Sequence, residues 1–561
     1  MRYWSTPFAG LLGLALFAVP VSADHTSEQA APDTPAKVSG AAAKAPPAYN
    51  SRGLGGIHHA VSTRSAEAQR LFNQGLALCF AFNHEEAVRS FERALKADSK
   101  LAMAHWGIAY ALGPNINLAT DSVRSARAYA EIQHAQKLAS TASSAERDWI
   151  AAMATRYAAS PMADRVPLEL AFRAAMRRLH DRYPADPDAA AIYAESIMDL
   201  SPWDYWLPSG APKPDTEELL AVLEAVLAKH PDHTGANHYY IHAIEASPHP
   251  ERAAAAAARL AKLAPDAGHL VHMPSHIQHR MGDYVAAAEA NIKAARVDSA
   301  YVARHQVEGV YPMMYWNHNH DFAAAALMQL GRYQEAMKHA AFTQKNATEM
   351  APMMPMIEAF AARPYEIMVA FRRWDDILAS PEPAPVMVTS RLTWRFARGA
   401  AHAAKGQLDA ARVDLDSLNA GIARLAPDYP MGTNMAVGVM PVSRAQLAAR
   451  IARAAGDLAT AEREARAAVE AFDAIKYDEP EEWLLPARLD LAGVLLARGD
   501  APGAEAVYRD ELAKHPNSAF ALNGLAAAQR AQGRADDAAA TARLLAAAWK
   551  GADRPLGIED L

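Results

Sequence analysis

Leu71-Phe72-Asn73-Gln74-Gly75 is followed by Ala87, Phe91 and Ala94, at offsets of 12, 16 and 19 from Gly75. Apolar residues here recur every three or four positions, the spacing of a helix with one buried face. Small residues at Gly75 and Ala87 let two antiparallel helices approach closely, and Phe91 fills the space between neighbouring pairs. The stretch therefore reads as a helix-turn-helix. Past Ile57 the same spacing continues with many alanines and with turns marked by Gly, Pro or Asp, and alternating β-branched runs are missing.

A glycine followed five residues later by alanine recurs as Gly282 with Ala287, Gly331 with Ala336, Gly406 with Ala411, Gly456 with Ala461, Gly499 with Ala504 and Gly533 with Ala538. Gly499 and Gly533 are 34 residues apart, and Pro516 falls where such a unit ends. These positions resemble the tetratricopeptide repeat (TPR), a 34-residue helix hairpin that stacks into a solenoid. The resemblance covers roughly residues 60–560. Intervals of 49 and 75 between Gly282, Gly331 and Gly406 depart from 34, so the expected fold is an all-α TPR-type solenoid with irregular insertions. We expect one helical-repeat region over 57–345, a Met/Pro-rich irregular connector over 346–390, and a second repeat region over 391–561. More narrowly, Phe82-Asn83-His84-Glu85-Glu86-Ala87 and Ala267-Gly268-His269-Leu270-Val271-His272-Met273-Pro274-Ser275-His276 are similar to segments of a family of secreted bacterial TPR proteins. That resemblance implies the fold and export, and it assigns no activity.

Most of the 561 residues then form one array rather than several globules. A net charge of −7 and a pI near 6.3 argue against a nucleic-acid binder or an anionic-membrane binder, which need a basic face. Arg2, the apolar stretch Phe8–Val21 and Val21-Ser22-Ala23 have the layout of a signal peptide cleaved after Ala23. The stretch is shorter than the roughly 20 residues needed to cross a bilayer, and no later run approaches a membrane span. Residues 24–56 read as a flexible linker. The expected location is a periplasm or the medium. The single cysteine, Cys79, permits no intrachain disulfide and reads as a buried apolar residue.

Histidine is the outlier. Of 22, twelve fall within residues 230–320, where even scatter would place about 3.6. In Asn237-His238-Tyr239-Tyr240-Ile241-His242-Ala243-Ile244-Glu245, helical geometry puts His238, His242 and Glu245 on one face, a pattern suited to a borderline metal ion with a carboxylate that ligates, orients or moves a proton. In the second segment Pro274 is placed to start a helix carrying His276 and His279, while His269 and His272 belong to the preceding segment. In Asn317-His318-Asn319-His320, a regular helix would point the two rings about 200° apart, so one inward ring is the safer expectation. The three segments lie near one repeat from each other, so stacking can converge them.

The expected metal ligands are drawn from His238, His242, His272, His276, His318 and His320, with Glu245 as the candidate proton-transfer residue. Met313, Met314 and the run Met350–Met356 favour copper, with zinc and iron open. His58, His59, His84, Asn237, Trp203 and Trp206 are candidate ligand-binding residues. Two functions compete: a binding protein whose concave, histidine-lined groove takes a transition metal, a small polar ligand, or a peptide or protein partner; and a metalloenzyme activating water or oxygen within residues 237–320.

Overall fold

The first hairpin folds from local signals. Ser65 caps the helix Ala66–Phe80 by accepting from the Ala68 amide, and Asn83 caps His84–Ala97 by accepting from Glu86. Phe91 lies fully buried between Gly75 and Gly107, and a Cβ on either glycine would come within 2.6 Å and 2.5 Å of its ring. Only glycine fits at those two approaches, and Gly107 belongs to the helix Ala102–Leu112, which starts the next unit. One phenylalanine thus fixes both the hairpin and its stacking on its neighbour. This is a computed structural model, and it describes residues 48–557. The signal-peptide expectation for residues 1–23, and the linker expectation as far as residue 47, lie outside the described residues.

The pattern repeats along the chain. All six turn glycines singled out above have positive φ, between 72° and 84°, and the alanines five residues on are buried. Each glycine sits just before the residue that opens the second helix, a left-handed position that costs other residues roughly 1–2 kcal/mol. Two turns place other residues there, Phe82 with φ 56° and Arg372 with φ 55°. Arg372 explains the long interval in the sequence pattern. It joins the helices Ala359–Ala370 and Trp374–Ala379 in a hairpin, 41 residues after Gly331 and 34 before Gly406. The stretch expected as an irregular connector over 346–390 therefore contains a repeat unit whose turn glycine has been replaced. Irregular segments, one of them containing the short 3-10 turn Pro355–Glu358, remain on either side of that hairpin and between residues 474 and 486. Among the described residues the strands are a two-residue pair, Pro430–Met431 with Asn434–Met435.

The array closes on itself instead of leaving an open groove. The helix Thr234–Ile244 returns to the first hairpin, where His238 Nδ1 donates to the Phe80 carbonyl at 2.7 Å. Residues 48–56 are part of this closure: Tyr49 and Leu54 are buried, and the Asp266 amide donates to the Gly53 carbonyl at 2.9 Å. The linker expectation fails for these residues because they have apolar side chains and a backbone partner to pack against. At the other end the last repeats fold back onto earlier turns. Asn517 donates to the Gly282 carbonyl at 3.2 Å, and the Asp553 amide to that of Gly331 at 2.9 Å. Among the described residues no helix is long and apolar enough to cross a membrane.

Candidate metal centre

Four helices meet at the middle of the array. His238 and His242 stand one turn apart on the inward face of Thr234–Ile244, with Glu245 just past its end. His269 and His272 come from Gly268–His272, and His276 and His279 from Pro274–Arg280, which Pro274 opens at its first turn. Met273 between them keeps helical dihedrals, φ −48° and ψ −36°. Proline at a first turn loses no hydrogen bond, so the two helices run on almost without a break. His269, His272, His276 and His279 therefore share one continuous face at spacings of three, four and three. His318 enters from Asn317–Gln329.

The rings form two sets of three. In the first, His238, His242 and His269 bring ring nitrogens within 4.8 Å of one another, and His238 Nε2 lies 3.1 Å from His269 Nε2. In the second, His272, His276 and His318 do the same, with His272 Nε2 2.8 Å from His276 Nε2. Glu245 sits between the sets. Its Oε1 is 2.8 Å from His242 Nδ1, and its Oε2 is 2.5 Å from His276 Nδ1, close but poorly aligned for a hydrogen bond. His238, His242, His269, His272, His276 and Glu245 are all at most 2% exposed.

Proton bookkeeping exposes a conflict. A ring that donates from Nδ1 keeps its lone pair on Nε2. His238 donates to the Phe80 carbonyl, and His272 to Asn291 Oδ1 at 2.6 Å, the Asn291 amide nitrogen being engaged with the Ala287 carbonyl. Both Nε2 lone pairs then face a second Nε2. If His276 met His272 with an N–H there, its own Nδ1 lone pair would confront a carboxylate oxygen at 2.5 Å. A cation among the Nε2 atoms removes the conflict and lets Nδ1–H face Glu245, the usual carboxylate–histidine–metal arrangement. Metal–nitrogen bonds of about 2.0–2.1 Å in a tetrahedral site put neighbouring ligand atoms roughly 3.3 Å apart, near the spacings seen. Burial, then the neighbouring imidazoles, hold His238, His269, His272, His276 and His318 well below the ordinary imidazole range. Neutral imidazole is the ligating form. His242 Nε2 is buried without a hydrogen-bond partner, a cost of about 1–3 kcal/mol that coordination would offset. The residues present fit a borderline transition ion: the two sets offer imidazole alone, with no thiolate and no ligating carboxylate.

One side of the cluster opens on a cavity of about 530 Å³. His242, His269, His276 and His318 form part of its wall, and Trp203, Ile116, Met314, Tyr315 and Phe360 give the rest a mainly apolar character. Trp203 lies 5.0 Å from His242 between ring centres and donates to Asn117 Oδ1 at 3.0 Å. Arg363, fully buried, is held by Asp321 at 2.9 Å and Glu366 at 3.1 Å on the far wall. The irregular segment 474–486 completes the enclosure. Glu479 Oε1 is 2.7 Å from His279 Nδ1, and Tyr477 donates to Glu479 at 2.6 Å and reaches Glu245 at 3.5 Å.

Five of the six expected ligands converge on the cluster, and His320 does not. Its ring points away as helical spacing requires, stacks on Phe342 at 3.8 Å and meets His339 Nδ1 at 2.9 Å. Glu245 lies behind the rings, not among the residues lining the cavity, which suits orientation of His242 and His276 better than proton transfer to a bound molecule. Trp203 is on the cavity wall, whereas Trp206 donates to the Ala243 carbonyl at 2.8 Å and serves packing. Asn237 spends its amide on the carbonyls of Pro231 and His233. His58 is exposed, His59 pairs with Asp188 at 2.8 Å, and His84 lies behind Phe82, against a separate cavity of about 190 Å³. These four are not brought to the centre. The methionine run is divided: Met314 and Met356 reach the cavity, while Met353 is 73% exposed.

Stacked helix hairpins with a 34-residue spacing and left-handed turn residues define an all-α, TPR-type solenoid. No family model and no curated protein matches the chain. Among solved structures it is similar to the human IFIT1 dimer with m7Gppp-AAAA, at 11% identity and a TM-score of 0.33, covering 87% of this chain and 91% of that one. Yeast Tom70 has 11% identity and a TM-score of 0.29 over 86% and 90% of the two chains. The Cut9–Hcn1 assembly of the APC/C has 12% identity and a TM-score of 0.29 over 89% and 95%. These likenesses concern the helical-repeat fold alone.

Proposed function

We propose that this protein is a transition-metal-binding solenoid whose ligands are His238, His242, His269, His272, His276 and His318, with Glu245 orienting two of the rings. The observation that carries this reading is the pair of Nε2–Nε2 approaches at 3.1 Å and 2.8 Å, in each of which one ring, His238 or His272, already donates from its Nδ1. Copper is favoured, since an all-imidazole set with the thioethers of Met314 and Met356 on the cavity wall suits it; zinc and iron share the imidazole preference. A place outside the cytoplasm, in a periplasm or the medium, rests on the pattern of residues 1–23, and membership of a secreted bacterial TPR group on the segments quoted above. The binding-scaffold reading changes form: the histidines are buried, so a peptide or protein partner would dock elsewhere on the solenoid.

The cavity supports a second reading, a metalloenzyme. When bound, the metal would supply a Lewis acid that activates water or oxygen. The chain's own part is to present imidazoles to one side of the cavity, to line it with the apolar faces of Trp203, Tyr315 and Phe360, and to orient the rings from behind. A mainly apolar organic molecule fits that space better than a strongly polar one.

Thermal unfolding tests the metal reading. Saturation at about 1,000 times Kd should stabilise the fold by about 4 kcal/mol, so Cu(I) or Zn(II) should raise the midpoint of the stripped protein and a chelator should reverse it. A folded protein with His238 and His276 both replaced by alanine should not respond. An equal response in that variant would sink the ligand assignment.

A further inference from the structure

The two histidine sets are complete in themselves. Each contributes three rings, and each contains one close Nε2–Nε2 pair, His238 with His269 and His272 with His276. Each also has an anchor on its own side of the cluster, the Phe80 carbonyl for the first and Asn291 for the second. The sets adjoin: His242 and His276 are 5.4 Å apart between ring centres, and His269 and His272 5.6 Å. Glu245 is the one carboxylate common to both. It gives one oxygen to a ring of each set, and the Tyr477 hydroxyl also approaches it at 3.5 Å.

Six rings could serve one ion, and two features speak against that. The two shortest nitrogen–nitrogen approaches, 3.1 Å and 2.8 Å, lie within the sets, one in each, while the ring centres are spaced alike within and between them. His242 and His276, the rings nearest the boundary, turn their Nδ1 atoms to Glu245 and so direct Nε2 away from it. We infer that the centre holds two transition-metal ions, one on His238, His242 and His269 and the other on His272, His276 and His318, with Glu245 positioning one ligand of each. Three imidazoles per ion leave a coordination position open on each, and both sets contribute to the cavity wall, His242 and His269 from one and His276 and His318 from the other. A small molecule in the cavity can therefore reach both ions together. Two ions facing one enclosed space suit chemistry in which a substrate oxygen or a water is shared between them. This inference rests on the metal reading above and extends it to stoichiometry and ligand partition.

Native mass spectrometry of the full chain, stripped and then loaded with Cu(I) or with Zn(II), tests it. Two ions per chain are expected. His238→Ala with His269→Ala should leave one, and His272→Ala with His318→Ala should leave the other. One ion in the wild-type protein overturns the two-ion centre and leaves the metal reading intact; none overturns both. Two ions that survive in either double variant also overturn the partition. Should a double variant fail to fold, anomalous scattering from wild-type crystals decides the same question: two peaks within the cluster are expected, and a single peak contradicts the inference.

Discussion

Glu245 shows how one side chain organises the centre. Its carboxylate pairs with His242 Nδ1 through one oxygen and faces His276 Nδ1 at 2.5 Å with the other, so it bears on the tautomer of both rings. Glu245→Gln keeps the size but offers one accepting oxygen and turns an amide N–H group toward the other ring. We expect metal affinity to fall about 10–100-fold with the fold retained, measured by competition with a chelator of known strength; an unchanged affinity would assign Glu245 to packing alone. At this scale much was legible. Helical spacing alone put His238, His242 and Glu245 on one face, and it separated His318 from His320. The place of His269 beside His238 is not legible in the sequence, because the spacing of three, four and three that joins it to His272, His276 and His279 runs through Pro274, which at a first turn continues the helix. Asn291, Tyr477 and Glu479 carried no local signal, since their roles arise only from contacts with residues 19 to 232 positions away.

Elements hold the site through their ends and turns. The irregular segment 474–486 is pinned by His515, the residue closing the helix Ala501–Lys514, which lies 2.6 Å from Glu481 and 2.5 Å from Glu511. The two carboxylates outweigh burial and push the buried imidazole up to about 10. Because its folded value lies above the unfolded value near 6.5, the clamp contributes fully below about pH 6.5 and is lost as pH rises toward 10. Unfolding free energies from denaturant titration of the wild type and of His515→Gln should differ by a few kcal/mol near pH 6, and the gap should close by pH 10. A gap that stays constant with pH would mean the pair is not ionic. The turns were readable wherever glycine marks them. The hairpin at Arg372 escaped because an arginine occupies the left-handed position, so the 34-residue rhythm was present but unmarked.

Across the whole molecule, closure of the array separates this protein from an open repeat scaffold. Sequence spacing brought the histidine segments onto neighbouring repeats, yet it could not show that residues 48–97 and 474–486 return to cover them, because those contacts join positions more than 150 residues apart. Closure converts a lined groove into a buried cluster beside a cavity. The burial it brings also holds His238, His269, His272, His276 and His318 below the ordinary imidazole range. Most of the cluster's polar groups gain partners only within the folded array, so metal and fold should support each other. The most direct measurement is the metal content of the full chain purified from its own compartment, without added metal, by elemental mass spectrometry. The account predicts stoichiometric transition metal that disappears when His238, His242 and His276 are replaced in a folded protein. A native protein carrying no transition metal, or one whose content survives those replacements, would contradict it.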